Sequence, residues 1–385
     1  MARCDECGTE VTLPFRCNFC KGQFCSEHRL PENHACLFAP PRTPLGHWNA
    51  KKKTKKWKTS VPARKSYSSR SSGGKKVALV IVAILSISLL LFVFLHNPIS
   101  LPEITLPNFS PKSYTHEELV NYALVLINND RQLNGLENVT LSNINSAQVH
   151  ADNMLNHDFF SHWDLNGYKP YMRYTLAGGQ GSVSENVAWM YSSGSIDPKK
   201  ALDDLQWQMM YNDSDNNWGH KNNILTPFHN KVSIGISYND NNLYFVQDFE
   251  NEYVEWETFT VSNSEVIMKG TILRQGLSIE HVAIYYDNHV PLTVEQLMNP
   301  PFQGGYDVGT FVGMALQSGW ETVGGLTIPT QVWTQNGQNF EIRFTLSTAL
   351  SSYGKGVYTL CLQIDWENTS TDDNSLTSYS FWYEG

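Results

Sequence analysis

Beyond residue 36 this 385-residue sequence holds one cysteine, Cys361, of a total of seven. The long C-terminal part therefore closes no internal disulfide. A small disulfide-stapled scaffold is excluded there, and that part must rest on an apolar core. Charge is unevenly missing too. Residues 1–96 carry 16 Lys+Arg against 5 Asp+Glu (+11), and residues 97–385 carry 12 against 32 (−20). Two hydrolase signatures, Gly-x-Ser-x-Gly and His-Glu-x-x-His, are absent. No internal repeat is visible. The stretch Val77–Leu95 lacks charge, proline and glycine altogether.

What that stretch does contain is 19 apolar or small residues in a row. As a helix it would span roughly 28 Å, close to the hydrocarbon core of a bilayer. The expectation is one transmembrane helix at 77–95. Eleven Lys and Arg residues between 51 and 76 precede it, and one, Lys112, lies in the 20 residues after it. The positive-inside rule then places the N-terminus in the cytoplasm and the C-terminal region outside, as an extracellular part of a cell-membrane protein. The glycosylation candidates Asn108, Asn138, Asn212 and Asn368 all follow the stretch.

The first 36 residues hold Cys4, Cys7, Cys17, Cys20, Cys25, His28, His34 and Cys36. Ligands two residues apart suit a tight knuckle presenting two donors to tetrahedral zinc, and eight donors make two sites. So short a segment buries too little apolar surface to fold alone, so metal binding would supply its folding free energy. These residues resemble the AN-1 type zinc finger over about 1–40. The resemblance implies a cross-braced module with two Zn²⁺: Cys4, Cys7, Cys25 and His28 on one ion, Cys17, Cys20, His34 and Cys36 on the other. Both sites are closed and hence structural. The protein partner of the finger is not named by the motif. Phe15, Phe19 and Phe24 are expected in its core.

Residues 41–76 read as a disordered basic tether rich in Pro, Ser, Gly and Lys. Beside an apolar span, attraction to acidic lipid accounts for that charge and disfavours nucleic acid as the partner. Residues 96–113 read as a proline-containing stalk.

From 114 the pattern becomes mixed. Thr115–Leu133 reads as a helix opened by a Thr115/Glu118 capping box. Asn145–His157 and Pro198–Tyr211 read as helices, the latter with proline in its first turn. Val232–Tyr238 and Leu243–Phe249 alternate as a hairpin. Among them stand FFSHWDLNG (159–167), SENVAW (184–189), GHKNNIL (219–225) and YFVQDF (244–249), with a helical Asn129-Asp-Arg131 upstream. In this order they resemble the CAP superfamily (cysteine-rich secretory, antigen 5, pathogenesis-related 1), or SCP domain, over 114–252. The resemblance implies an α-β-α sandwich and a cleft with two histidines and two acids. Motif by motif these are His162, Glu185 and His220. The second acid falls at Met210, so the set is incomplete, with Asp213 or Asp215 as substitutes. Two neutral imidazoles with an open position suit one divalent metal in the cleft; the alternative is a hydrogen-bonded cluster that braces it. His150, His157 and His229 are expected as surface or packing residues. Ser161 beside His162 and Ser184 beside Glu185 are no dyads, because strand neighbours face opposite ways.

Eight short alternating runs separated by Gly, Asn and Pro fill 255–385 and predict an all-β sandwich, with Cys361 a buried thiol. The fold class expected is thus multidomain: a two-zinc finger, one membrane helix, a CAP-like α-β-α sandwich and a β-sandwich. The pairing of such a finger with a cysteine-poor CAP domain resembles an archaeal combination. The expected function is a membrane-anchored binding or adaptor protein whose cleft takes a lipid, glycan or protein. The rival is a metal-dependent extracellular hydrolase using His162, Glu185 and His220.

Overall fold

The computed structural model describes residues 2–11, 15–17, 21–25, 28, 34, 113–322, 324–365 and 374–385. The chain divides into two units, 1–109 and 110–385. In the first, β1 (Ala2–Arg3) pairs antiparallel with β2 (Glu10–Val11), and β3 (Phe15–Arg16) with β4 (Gln23–Phe24). The first ladder sets Cys4 and Cys7 at the turn between its strands.

The second unit opens with α1 (His116–Leu133). Its capping box forms as the sequence predicts: Glu118 N–H donates to Thr115 Oγ1 and Thr115 N–H to Glu118 Oε2. Leu119, Ala123 and Ile127, one helical face, are fully buried. Then follow β5 (Thr140–Leu141), α2 (Ser146–His157), α3 (Pro170–Leu176), β6 (Ser182–Tyr191), α4 (Pro198–Tyr211), α5 (Gly219–Ile224), β7 (Lys231–Tyr238) and β8 (Asn242–Asn251). The strands form one sheet in the order β5-β7-β8-β6. One face packs Val232, Ile234, Phe245 and Phe249 against α1 and α4; the other packs Tyr244, Val246 and Val187 against α2. The α2 backbone approaches so closely that a Cβ on Gly235 would lie 2.1 Å from the Ala147 carbonyl oxygen.

Eight strands follow: β9 (Val254–Ser262), β10 (Glu265–Ile272), β11 (Ser278–Asp287), β12 (Thr310–Leu316), β13 (Leu326–Asn336), β14 (Asn339–Thr345), β15 (Gly356–Asp365) and β16 (Ser375–Tyr383). Short helices α6 (Val294–Leu297) and α7 (Ser347–Tyr353) are interspersed. The expected two-sheet sandwich is corrected here. All eight strands belong to one sheet, ordered β16-β15-β11-β12-β13-β14-β10-β9. The parallel pair β12–β13 joins what would have been two sheets. The sheet curls nearly into a barrel: one core takes residues from β10 through β16, and Phe259 of edge strand β9 meets Tyr379 of edge strand β16 at 4.5 Å between ring centroids. Alternation correctly shows that each strand has one buried face, but it does not say which strands pair. Cys361 is buried on the face of β15 opposite to Leu360 and Leu362 of this core, and burial pushes its thiol up to about 12.

The expected membrane span is corrected as well. Among the described residues no helix is long and apolar enough to cross a membrane, and Val77–Leu95 lies outside them. The single-pass fold class and cell-membrane localisation therefore do not stand. They rested on apolar length, the basic flank and the placement of the glycosylation candidates, none of which reports where a segment resides.

Candidate functional site

In the finger unit, the donor atoms of Cys4, Cys7, Cys25 and His28 lie within 4.8 Å of one another. Cys25 Sγ is 3.3 Å from His28 Nδ1, and Cys7 Sγ is 3.8 Å from Cys25 Sγ. Burial pushes the Cys4 thiol up, but nearby backbone amides, that of Cys7 foremost, outweigh it and bring it down to about 6. Three thiols and one imidazole are a closed tetrahedral zinc donor set. Of the other four predicted ligands, Cys17 and His34 are buried, and Cys20 and Cys36 lie outside the described residues. His34 stacks on Phe24 at 3.7 Å, and its Nδ1 is 2.7 Å from the His28 carbonyl oxygen. That bond leaves Nε2 as its donor atom.

In the second unit a cleft of ≈ 890 Å³ gathers His162, Glu185, His220, Asp213 and Asp215. His162 stands on the loop after α2, which Asp158 ends in a left-handed conformation (φ 56°). Buried His150 fixes this loop, its Nε2 lying 2.8 Å from the Ser161 carbonyl oxygen. Glu185 lies on β6. His220 is the second residue of α5, delivered by two successive left-handed residues, Asn217 and Trp218.

The acids hold the imidazoles. His162 Nδ1–H donates to Glu185 Oε1 at 2.8 Å, and His220 Nδ1–H to Asp213 Oδ1 at 2.7 Å. Asp213 is the second acid. Met210, where the motif places it, is wholly buried in the core beneath α4. The chain leaves the helix at Tyr211, and the turn that follows brings Asp213 to His220. Asp215 lines the cleft but stays exposed. Burial, helped by the Arg173 charge, lowers His162 to about 3, so it is neutral at physiological pH and its Nε2 lone pair is available.

Glu185 has further partners that sequence reading missed. Arg173 Nη2 donates to Glu185 Oε2 at 2.5 Å and Arg173 Nη1 to the His162 carbonyl at 2.7 Å. Buried Asp248 is its cross-strand neighbour. Burial pushes Glu185 up to about 7 against the opposing pull of Arg173. Arg173 sits in the short apolar run PYMRYTL, where one buried cation is the single signal that could have pointed to it. Tyr306, on the β11–β12 connection, accepts the Glu185 backbone N–H at 2.9 Å and packs its ring on His162 at 4.9 Å. Beneath the cleft runs a chain of buried amides. Asn223 donates to Asn186, Asn186 to Gln247, Gln247 to Gln206, and Gln206 to Asp130. The predicted packing histidines His150 and His229 are buried, and His157 is exposed. Arg131 is fully buried and donates to the carbonyls of Glu137, Ile224, Thr226 and His229, which pins the loop behind α5. Of the glycosylation candidates, Asn138 and Asn212 are exposed, Asn212 at the cleft; Asn108 and Asn368 lie outside the described residues.

The molecule thus holds two acid-held histidines in one cleft and a Cys/His cluster in the finger unit. The AN1-like zinc finger family matches residues 4–41, and the cysteine-rich secretory protein family (CAP) matches residues 124–249. The chain carries an AN1-like zinc finger and a CAP domain. The AN1-type zinc finger protein TMC1 of Saccharomyces cerevisiae is 85% identical over 20 residues, 5% of this chain and 13% of that protein. An SCP-domain extracellular protein from Bacillus anthracis is 16% identical over 37% of this chain and 45% of its own, with a TM-score of 0.28. An outer surface protein from Borrelia burgdorferi is also 16% identical, over 37% of this chain and 98% of its own, with a TM-score of 0.29. The chain thus spans only an eighth of the yeast protein and under half of the Bacillus one.

Proposed function

We propose that this chain is a binding protein whose CAP cleft takes its ligand at the paired histidines, and whose finger is a separate protein-interaction module. The observation that carries this is the pairing of both Nδ1 atoms with carboxylates, which leaves each Nε2 free to face a ligand as a fixed acceptor or metal-ligating atom. The two imidazoles would offer a divalent cation two donors, and carboxylates behind metal-ligating histidines are the usual supporting arrangement. Among the described residues no third Cys, His, Asp or Glu joins them in a metal-sized cluster, so solvent or ligand atoms would complete the coordination. A serine nucleophile is disfavoured because the nearby hydroxyls are engaged elsewhere. Ser161 Oγ donates to the Phe302 carbonyl and Ser184 Oγ to Asn223 Oδ1.

Metal analysis of the full chain in excess zinc, compared with the His162→Ala/His220→Ala double variant, tests the site. One ion fewer per chain in the variant is expected. Turnover of peptide or ester substrates by the wild-type chain, lost in His220→Ala, would overturn the binding reading in favour of an enzyme.

A further inference from the structure

The cleft floor is the open edge of a sheet. Among the described residues β6 ends the order β5-β7-β8-β6 and pairs with β8 alone, without a bulge, from residue 182 to 191. Three contacts show which residues turn their backbone outward. Ser378 N–H of β16 donates to the Gly181 carbonyl at 3.1 Å, Val183 N–H donates to Ser378 Oγ at 3.2 Å, and Glu185 N–H donates to Tyr306 Oη at 2.9 Å. The odd-numbered residues therefore face away from β8, and regular pleating carries this to Val187 and Trp189. Both line the cleft, and among the described residues neither amide meets a protein acceptor. Their N–H groups stand about 6.8 Å apart.

We propose that an extended peptide, uncharged or basic, docks in the cleft by adding a strand to β6 at Glu185–Trp189. This rests on the cleft being the ligand site and names the ligand's class. An extended backbone supplies donors and acceptors at the spacing that this edge presents. Ser378 of β16 already gives this edge one backbone hydrogen bond, at Gly181, so the peptide would continue an existing contact along the same edge. Charge fits as well: no lysine or arginine lines the cleft, exposed Asp215 lies at it, and Glu185 and Asp213 are occupied by their histidines. Phe160 and half-exposed Trp189 offer apolar contact to alternate side chains of the peptide.

The test screens the full chain against a random octapeptide library and N-methylates each backbone amide of a selected binder in turn. Strand addition predicts about tenfold weaker binding on methylating every second residue and little change at the residues between. It also predicts slowed hydrogen exchange at Val187 and Trp189. No octapeptide binding, or an N-methyl profile without alternation, overturns the proposal. Concentration-dependent protection of the two amides without peptide overturns it in favour of a second copy on the edge. A non-peptide ligand that shifts the His162 and His220 signals but leaves both amides exchanging freely overturns strand addition while the histidine binding site survives.

Discussion

Asp213 Oδ1 lies 2.7 Å from His220 Nδ1, although the motif spacing puts the second acid at Met210. The same carboxylate also accepts from Asn216 Nδ2 at 2.9 Å and sits almost fully buried, so it is fixed as well as paired. Its position follows from the end of α4. Met210 shares the inward face with Leu202 and Gln206, whereas Asp213 lies beyond the last turn and is free to swing to the cleft.

Swapping roles should therefore fail. Met210→Asp puts an unpaired carboxylate in the core and is expected to destabilise the chain by about 3 kcal/mol or more. Asp213→Asn should leave the fold near wild type but weaken zinc uptake at the His162/His220 pair by roughly 10–100-fold, as loss of a supporting carboxylate does. Chemical denaturation and zinc titration of the two variants separate these effects.

His162 should remain uncharged in mildly acidic solution, with its proton on Nδ1. Its value near 3 follows first from burial and then from the Arg173 charge. Long-range ¹H–¹⁵N spectra are expected to show this tautomer unchanged between pH 5 and 8. A His162 titration inside that window would contradict the buried Arg173–Glu185–His162 arrangement.

Glu250 gives a pH dependence of known sign. It is buried, accepts from Tyr174 Oη, and is pushed up to about 7, chiefly by burial. A carboxyl raised in the folded state costs nothing while protonated in both states, below about pH 4.5. The cost grows as pH rises and is complete above about 7. Glu250→Gln removes the ionisable group. Its stability relative to wild type should rise by about 3 kcal/mol between pH 4 and pH 8 in urea melts. A flat difference would show that Glu250 ionises freely in the fold.

Cys25→Ser should cost the finger one zinc per chain, because Cys25 Sγ stands 3.3 Å from His28 Nδ1 at the centre of the four-donor cluster. Metal analysis against the wild-type chain reads the loss directly.

Much of this molecule is written locally. The Thr115/Glu118 box, the inward stripe Leu119-Ala123-Ile127 and the Cys-x-x-Cys spacing each depend on residues a few positions apart, so the chain's own geometry suffices to read them. So do the eight strands of the C-terminal part, whose alternation shows through although their ends shift by a few residues. His162, Glu185 and His220 were legible through short motifs around each.

What needed the tertiary structure is what joins distant segments. Alternation reports a buried face and is silent on neighbours, so the parallel β12–β13 link that turns two sheets into one curled sheet had no local sign. Arg131 reaches carbonyls about 95 residues away, and Tyr306 meets Glu185 121 positions upstream. The sequence by itself marked the four donors Cys4, Cys7, Cys25 and His28 that the fold gathers, most helices and strands, and three of the four cleft groups, because short-range spacing sets those. Only the tertiary structure decided that Asp213 is the fourth, that Arg173 and Tyr306 brace Glu185, and that the β6 edge lies open in the cleft. Those depend on how the chain returns to itself, which no local period encodes.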